Sequence, residues 1–159
     1  MPRAKKPPLS FVEQMRKLIE AGIRDSPRLE IKDECDNLGS LEDRVKSILG
    51  LTENVRKKSD RMLFFVMYDI ESNKVRRLIV KYLIREGCTR IQKSIFLADR
   101  PVEVYNRIRS DLAEVQAAYD NEDSIIILPV TTDYLRMMKI IGKNVDVDII
   151  THSKNTLFF

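Results

Sequence analysis

Residues 64–77, FFVMYDIESNKVRR, put a single carboxylate, Asp69, at the end of a strongly apolar run and just ahead of a helix-like stretch with a doubled arginine. An acid there has two uses. It caps the helix by accepting hydrogen bonds from the unpaired N–H groups of the first turn, with Ser72 or Asn73 as rival caps. Alternatively it holds something, and for a hard oxygen donor that is first a divalent cation, with Glu71 two residues on as an outer ligand. Other chemistries have less to build on. His152 is the one histidine, in the polar stretch THSKN, and nothing in the sequence pairs it with an activated nucleophile. Cys35 and Cys88 are isolated thiols without CxxC or Cys/His spacing, which argues against a disulfide or a zinc site. Asp146 and Asp148 alternate with Val145 and Val147, as a half-exposed strand requires.

A second chemistry lies in the cations. On a helix over 73–87, Lys74, Arg77, Lys81 and Arg85 fall along one stripe, Val75, Leu78, Ile79, Tyr82 and Leu83 fill the opposite arc, and Arg76 flanks the apolar side. Such a stripe is either a solvated face or a phosphate-binding ridge. Only Glu86 stands near to balance it, and Arg90 and Lys93 follow on the next strand. Nothing resembles a helix-turn-helix, a zinc finger or an RNA-stacking motif, so the contacts expected are to backbone phosphates, tolerant of sequence and sensitive to salt. The arm Arg3, Lys5, Lys6 and the patch Arg56, Lys57, Lys58 add further cations. Overall charge is less telling, since 28 basic against 24 acidic residues leave only +4.

The elements that must position these residues fit one domain with an extension in 159 residues, and 43% hydrophobic content supports a core. Residues 1–60 read as a helical N-terminal extension and linker. Ser10 and Glu13 form a capping box ahead of a helix over about 10–22 carrying Phe11, Met15, Leu18 and Ile19. Ser40 and Asp43 start a second helix with Leu41, Val45, Ile48 and Leu49, and 54–60 is the joint. Residues 61–159 form the main domain. MLFFVMYDI is a buried strand, ESNKVRRLIVKYLIREG a helix ended by Gly87, and TRIQKSIFLAD one long bent strand or a hairpin. A helix follows with Asp99 as a cap, Pro101 at its start and Tyr105, Ile108, Leu112, Val115 and Tyr119 as its buried stripe. DSIIILPV is a strand closed by Pro129, which suits a strand end or a sheet edge. With TRIQKSIFLAD as a hairpin the order is β-α-β-β-α-β, an α+β, ferredoxin-like core with its helices on one sheet face. MMKIIGK, VDVDIIT and NTLFF then leave a surplus strand, expected to be exchanged with, or packed at, the interface of a homodimer. No stretch is apolar for long enough to span a membrane and MPRAKKPPLS lacks a secretory segment, so the expected location is cytoplasmic.

The strand ending Tyr68-Asp69-Ile70, the helix with Arg76 and Arg77, the segment Arg90-Ile-Gln92-Lys-Ser94-Ile-Phe96 and the closing Ile127-Leu128-Pro129-Val130 together resemble the CRISPR-associated Cas-two family over about 61–142. The resemblance implies a ferredoxin-like homodimer that works beside the CRISPR spacer integrase in spacer acquisition, some members being magnesium-dependent endonucleases. It implies double-stranded DNA as partner, with single-stranded RNA as a further substrate, and carries roles over to Asp69 and to Ser94 of the Ser-x-Phe element. Where some relatives have two adjacent acids, Tyr68 precedes Asp69 here, and residues 1–60 have no counterpart. In a dimer whose first strands end near the two-fold axis, paired Asp69 carboxylates would repel unless a cation intervened. Magnesium with its waters suits that place and would activate water towards a phosphodiester. The reading outside CRISPR biology is a ferredoxin-like toxin-type ribonuclease or a regulatory module.

Overall fold

The computed structural model describes residues 8–22, 38–40, 43–44, 48, 60–118, 122–142 and 145–148. Its elements in chain order are α1 (Phe11–Glu20), β1 (Arg61–Asp69), α2 (Asn73–Arg85), β2 (Thr89–Gln92), β3 (Ile95–Pro101), α3 (Val102–Ala117), β4 (Ser124–Pro129), α4 (Thr132–Arg136), β5 (Lys139–Gly142) and β6 (Val145–Asp148).

β1 is apolar throughout because it lies inside the sheet and has cover on both faces. Its pleat sends Phe64, Val66 and Tyr68 into the larger core, shared with Val75, Ile79 and Leu83 of α2 and Ile108, Leu112 and Val115 of α3. Leu63 turns to the opposite face, where a smaller cluster joins it to Ile48, Ile91, Leu97 and Leu135. The main sheet runs β2-β3-β1-β4, with every neighbouring pair antiparallel. Helix crossovers join β1 to β2 and β3 to β4. This mixed α+β arrangement, with a four-stranded antiparallel sheet, is compatible with the expected ferredoxin-like core.

TRIQKSIFLAD is a hairpin, with β2 and β3 joined through Lys93 and Ser94 and a register shift between Arg90 and Gln92. β4 lies at the sheet edge, as Pro129 requires. Its Ile125 and Ile127 pack on the larger core. Ile126 and Leu128 are exposed on the other face. Of the tail, β5 pairs with β6 in a separate two-stranded sheet. NTLFF lies outside the described residues. Among the described residues, no helix is long and apolar enough to cross a membrane.

The helix ends follow local chemistry. Ser10 and Glu13 form the expected capping box, with Ser10 N donating to Glu13 Oε2 at 2.8 Å and Glu13 N to Ser10 Oγ at 3.2 Å. α2 stops at Glu86, and the chain leaves through Gly87 at φ 84°, a conformation that favours glycine. Arg100 adds a second constraint there, because a Cβ on Gly87 would stand 3.0 Å from its Cζ.

Asp99 does not cap α3. The N-cap position is Pro101, without a side-chain cap. Asp99 is buried on β3 and accepts from Arg61 Nε at 3.0 Å. The pleat explains the difference: Asp99 shares its sheet face with Leu97, away from the helices, where a buried carboxylate needs a charged partner.

The N-terminal segment touches both sides of the domain. Phe11 and Met15 of α1 belong to the larger core, and the Phe11 ring stacks on Tyr82 of α2 at 4.0 Å. Tyr82 in turn donates to Asp111 Oδ2 of α3 at 2.7 Å. Burial and this bond push the Tyr82 hydroxyl well above its ordinary pKa, so it remains a neutral donor. Of the expected second helix, Asp43, Arg44 and Ile48 are described and helical. Ile48 is fully buried on the sheet face opposite the helices, and Arg44 Nη1 donates to Ile91 O at 2.7 Å.

Candidate metal and nucleic-acid site

Asp69 ends β1 opposite Ser124 of β4. It does not cap α2. Ser72 holds that position, its Oγ accepting from Val75 N at 3.5 Å. Alternation explains why the acid is free for other use: Tyr68 turns into the core, so Asp69 turns to solvent. Among the described residues its carboxylate has no hydrogen-bonding or ionic partner. Glu71 is exposed, and its backbone N–H donates to Asp123 Oδ1 at 2.9 Å, which ties the loop after β1 to the residue preceding β4.

The donor set fits a hard cation only in part. Exposed carboxylates suit magnesium, which keeps several waters. Among the described residues, however, no three His, Cys, Asp or Glu side chains group to hold a metal. One chain therefore offers the exposed Asp69 and a neighbouring Glu71, and further ligands would come from a second protomer, nucleic acid or water. Cys88 is buried and its thiol is pushed up to about 12, chiefly by burial, which makes it a poor metal ligand or nucleophile. Cys35 and His152 lie outside the described residues.

The β2–β3 turn stands beside the end of β1. Tyr68 N donates to Ser94 O at 3.1 Å, which extends the β1–β3 ladder one step beyond Met67 and Ile95. Ser94 is half-buried and Lys93 exposed. Phe96 is core, as alternation requires. Arg90 is directed inward along the turn. Its Nε and Nη2 both donate to Lys93 O, at 3.2 and 2.6 Å, and its Cζ lies 5.9 Å from the Phe96 ring centre.

α2 carries Lys74, Arg76, Arg77, Lys81 and Arg85 and not a single acid. Lys81 and Arg85 are exposed, while Lys74 and Arg77 are half-buried. The adjacent acid, Glu86, is engaged by Arg107 of α3. Arg76 faces the β1–α2 loop, where it donates to Asn73 Oδ1 and, at 3.5 Å, to Ile70 O. It therefore braces the approach to Asp69. Arg85 lies 5.8 Å from the Tyr82 ring centre. The cations at 3, 5, 6 and 56–58 lie outside the described residues.

Periodicity alone missed the Tyr68 hydroxyl, which donates to Lys93 O at 3.1 Å. The signal was present, because a tyrosine in phase with Phe64 and Val66 is buried and its hydroxyl then needs a partner. The Asp123 cap and the Arg61–Asp99 pair had no local signal, since their partners are 52 and 38 residues away.

Comparison with curated proteins finds no match. Residues 62–138 match the family CRISPR associated protein Cas2, from the second residue of β1 to just beyond α4. That span contains Asp69, the α2 cations and the Lys93–Ser94 turn, and it leaves α1 and the β5–β6 hairpin outside. Through residues 62–138, the chain belongs to the CRISPR associated protein Cas2 family.

Proposed function

We propose that the chain is a subunit of the spacer-acquisition step: a homodimer that binds double-stranded DNA through its backbone phosphates and bridges the CRISPR spacer integrase. The observation that carries this reading is the one-signed face of α2, five cations without an acid, in a chain of this family. A dimer would present that face twice, and contacts to six or more phosphates would make affinity fall by roughly three orders of magnitude from low to moderate salt. Lys81 and Arg85 lead the set by exposure, with Lys74, Arg77 and Lys93 beside them. The open edge of β4, with Ile126 and Leu128 exposed, supports docking of a partner's tail strand.

The partnerless Asp69 favours a second activity of the same dimer, magnesium-dependent cleavage of RNA or DNA. Two Asp69 carboxylates meeting near the dimer axis would supply hard oxygens, with Glu71 in the outer sphere. A magnesium ion bound there supplies water activation and neutralisation of phosphate charge. Ser94 and Lys93 would orient the phosphate.

The test is duplex binding against salt concentration, with Lys81 and Arg85 both replaced by Ala. Each lost phosphate contact makes the log–log slope shallower by about 0.9, so four lost contacts per dimer change it by up to about 3.6. An unchanged slope rejects the α2 face as the binding surface. In the same preparations Asp69→Ala should abolish magnesium-dependent cleavage, and cleavage that persists removes Asp69 from the chemistry.

A further inference from the structure

The geometry points to Tyr68 and Arg90 as positioning residues that latch the Lys93–Ser94 turn beside Asp69, with Arg90 acting through that turn and not as a phosphate contact. The inference rests on the proposed binding role of Lys93 and Ser94.

Three donors converge on one acceptor. Lys93 O receives the Tyr68 hydroxyl at 3.1 Å and, from the Arg90 guanidinium, Nε at 3.2 Å and Nη2 at 2.6 Å. Two of these bonds are charge-assisted, and the guanidinium fork fixes direction as well as distance. Because the acceptor belongs to the backbone, the latch holds the turn whatever side chain stands at 93. A fourth bond, Tyr68 N to Ser94 O at 3.1 Å, ties the next peptide to β1.

Both donors are steadied by the same core ring. Tyr68 is 6% exposed, with its ring 6.3 Å from Phe96, and the Arg90 Cζ lies 5.9 Å from that ring. The turn needs this help, because its two residues are lysine and serine, without the glycine or asparagine that favours a tight hairpin. The register shift between Arg90 and Gln92 loosens the ladder just before it. Tyr68 and Asp69 are also consecutive, so the residue that grips the turn also fixes the backbone from which the exposed carboxylate projects.

The experiment uses the full chain, with duplex affinity, its salt slope and hydrogen exchange across residues 93–95 measured in parallel. Arg90→Lys keeps the charge and loses the fork. We expect it to weaken duplex binding about 5- to 10-fold, as loss of a charge-assisted hydrogen bond does, with an unchanged salt slope and faster exchange at 93–95. Tyr68→Phe should act in the same direction, and its effect on binding should vanish in a Lys93→Ala background while its effect on exchange remains. A purely structural role would lower the melting temperature without that dependence on Lys93. If Arg90→Lys binds like the parent while Arg90→Gln loses about 0.9 in slope, Arg90 contacts phosphate and the inference falls. Unchanged exchange in both Tyr68→Phe and Arg90→Lys also overturns the latch. A parent protein that binds no duplex overturns the proposed function and this role for the turn, and exchange then reports only whether the latch itself exists.

Discussion

Replacing Phe11 with Ala tests whether the N-terminal helix belongs to the domain it precedes. Phe11 is 4% exposed and stacks on Tyr82 at 4.0 Å with 14° between the rings, and Met15, one turn on, is fully buried in the same core. Truncating a buried phenylalanine costs about 3–5 kcal/mol, which includes the roughly 0.5–1.5 kcal/mol of an aromatic pair. The loss has a ceiling here. α1 is only 10 residues long, and too short a helix to persist alone, so once its docking energy is gone it detaches and costs nothing further. The exposed Arg16–Glu114 pair at 3.3 Å adds little to that docking. The lower end, about 3 kcal/mol, is therefore the expected loss. At about 2–4 °C per kcal/mol for a chain of this size, the melting temperature should fall by about 6–12 °C. Thermal unfolding followed by circular dichroism gives the shift, and limited proteolysis after α1 shows whether the helix has come away. A melting temperature within about 2 °C of the parent, with α1 still protected, would show that Phe11 contributes nothing to the core and refute the reasoning.

Gly87→Ala should destabilise by about 1–2 kcal/mol from its left-handed conformation alone, plus the cost of moving Arg100 off a Cβ at 3.0 Å. Chemical denaturation should recover only the second part when Arg100→Ala is added, and no recovery would exclude the contact. The Glu13 carboxyl is held below the usual carboxylate range, first by the Ser10 backbone N–H and then by the Ser10 side chain. Its depressed folded value means that the contribution is complete above the ordinary value of 4.5 and is lost as pH falls through the lower, folded one. Protection of α1 should therefore drop in acid, and Glu13→Gln should flatten that part of the profile; an identical profile in the variant would assign the acid sensitivity to another group.

Much of this arrangement could be read from local sequence, because local rules govern it. The 3.6-residue spacing on α2 separates Val75, Ile79 and Leu83 from Lys81 and Arg85, and the pleat of β1 separates Tyr68 from Asp69. Ser10 with Glu13 marked the start of α1, and Gly87 the end of α2. What needed the folded chain was partner choice. Asp69 and Asp99 are both acids close to a helix start, yet one is open to solvent and the other buried on Arg61, because their strands present them to different surroundings. Arg90 reads as one more cation in a basic run until the hairpin closes and brings the Lys93 carbonyl under its guanidinium. Sequence periodicity determines which way a side chain points; what it then meets depends on segments tens of residues away, whose approach is set by the packing of the whole sheet and its helices.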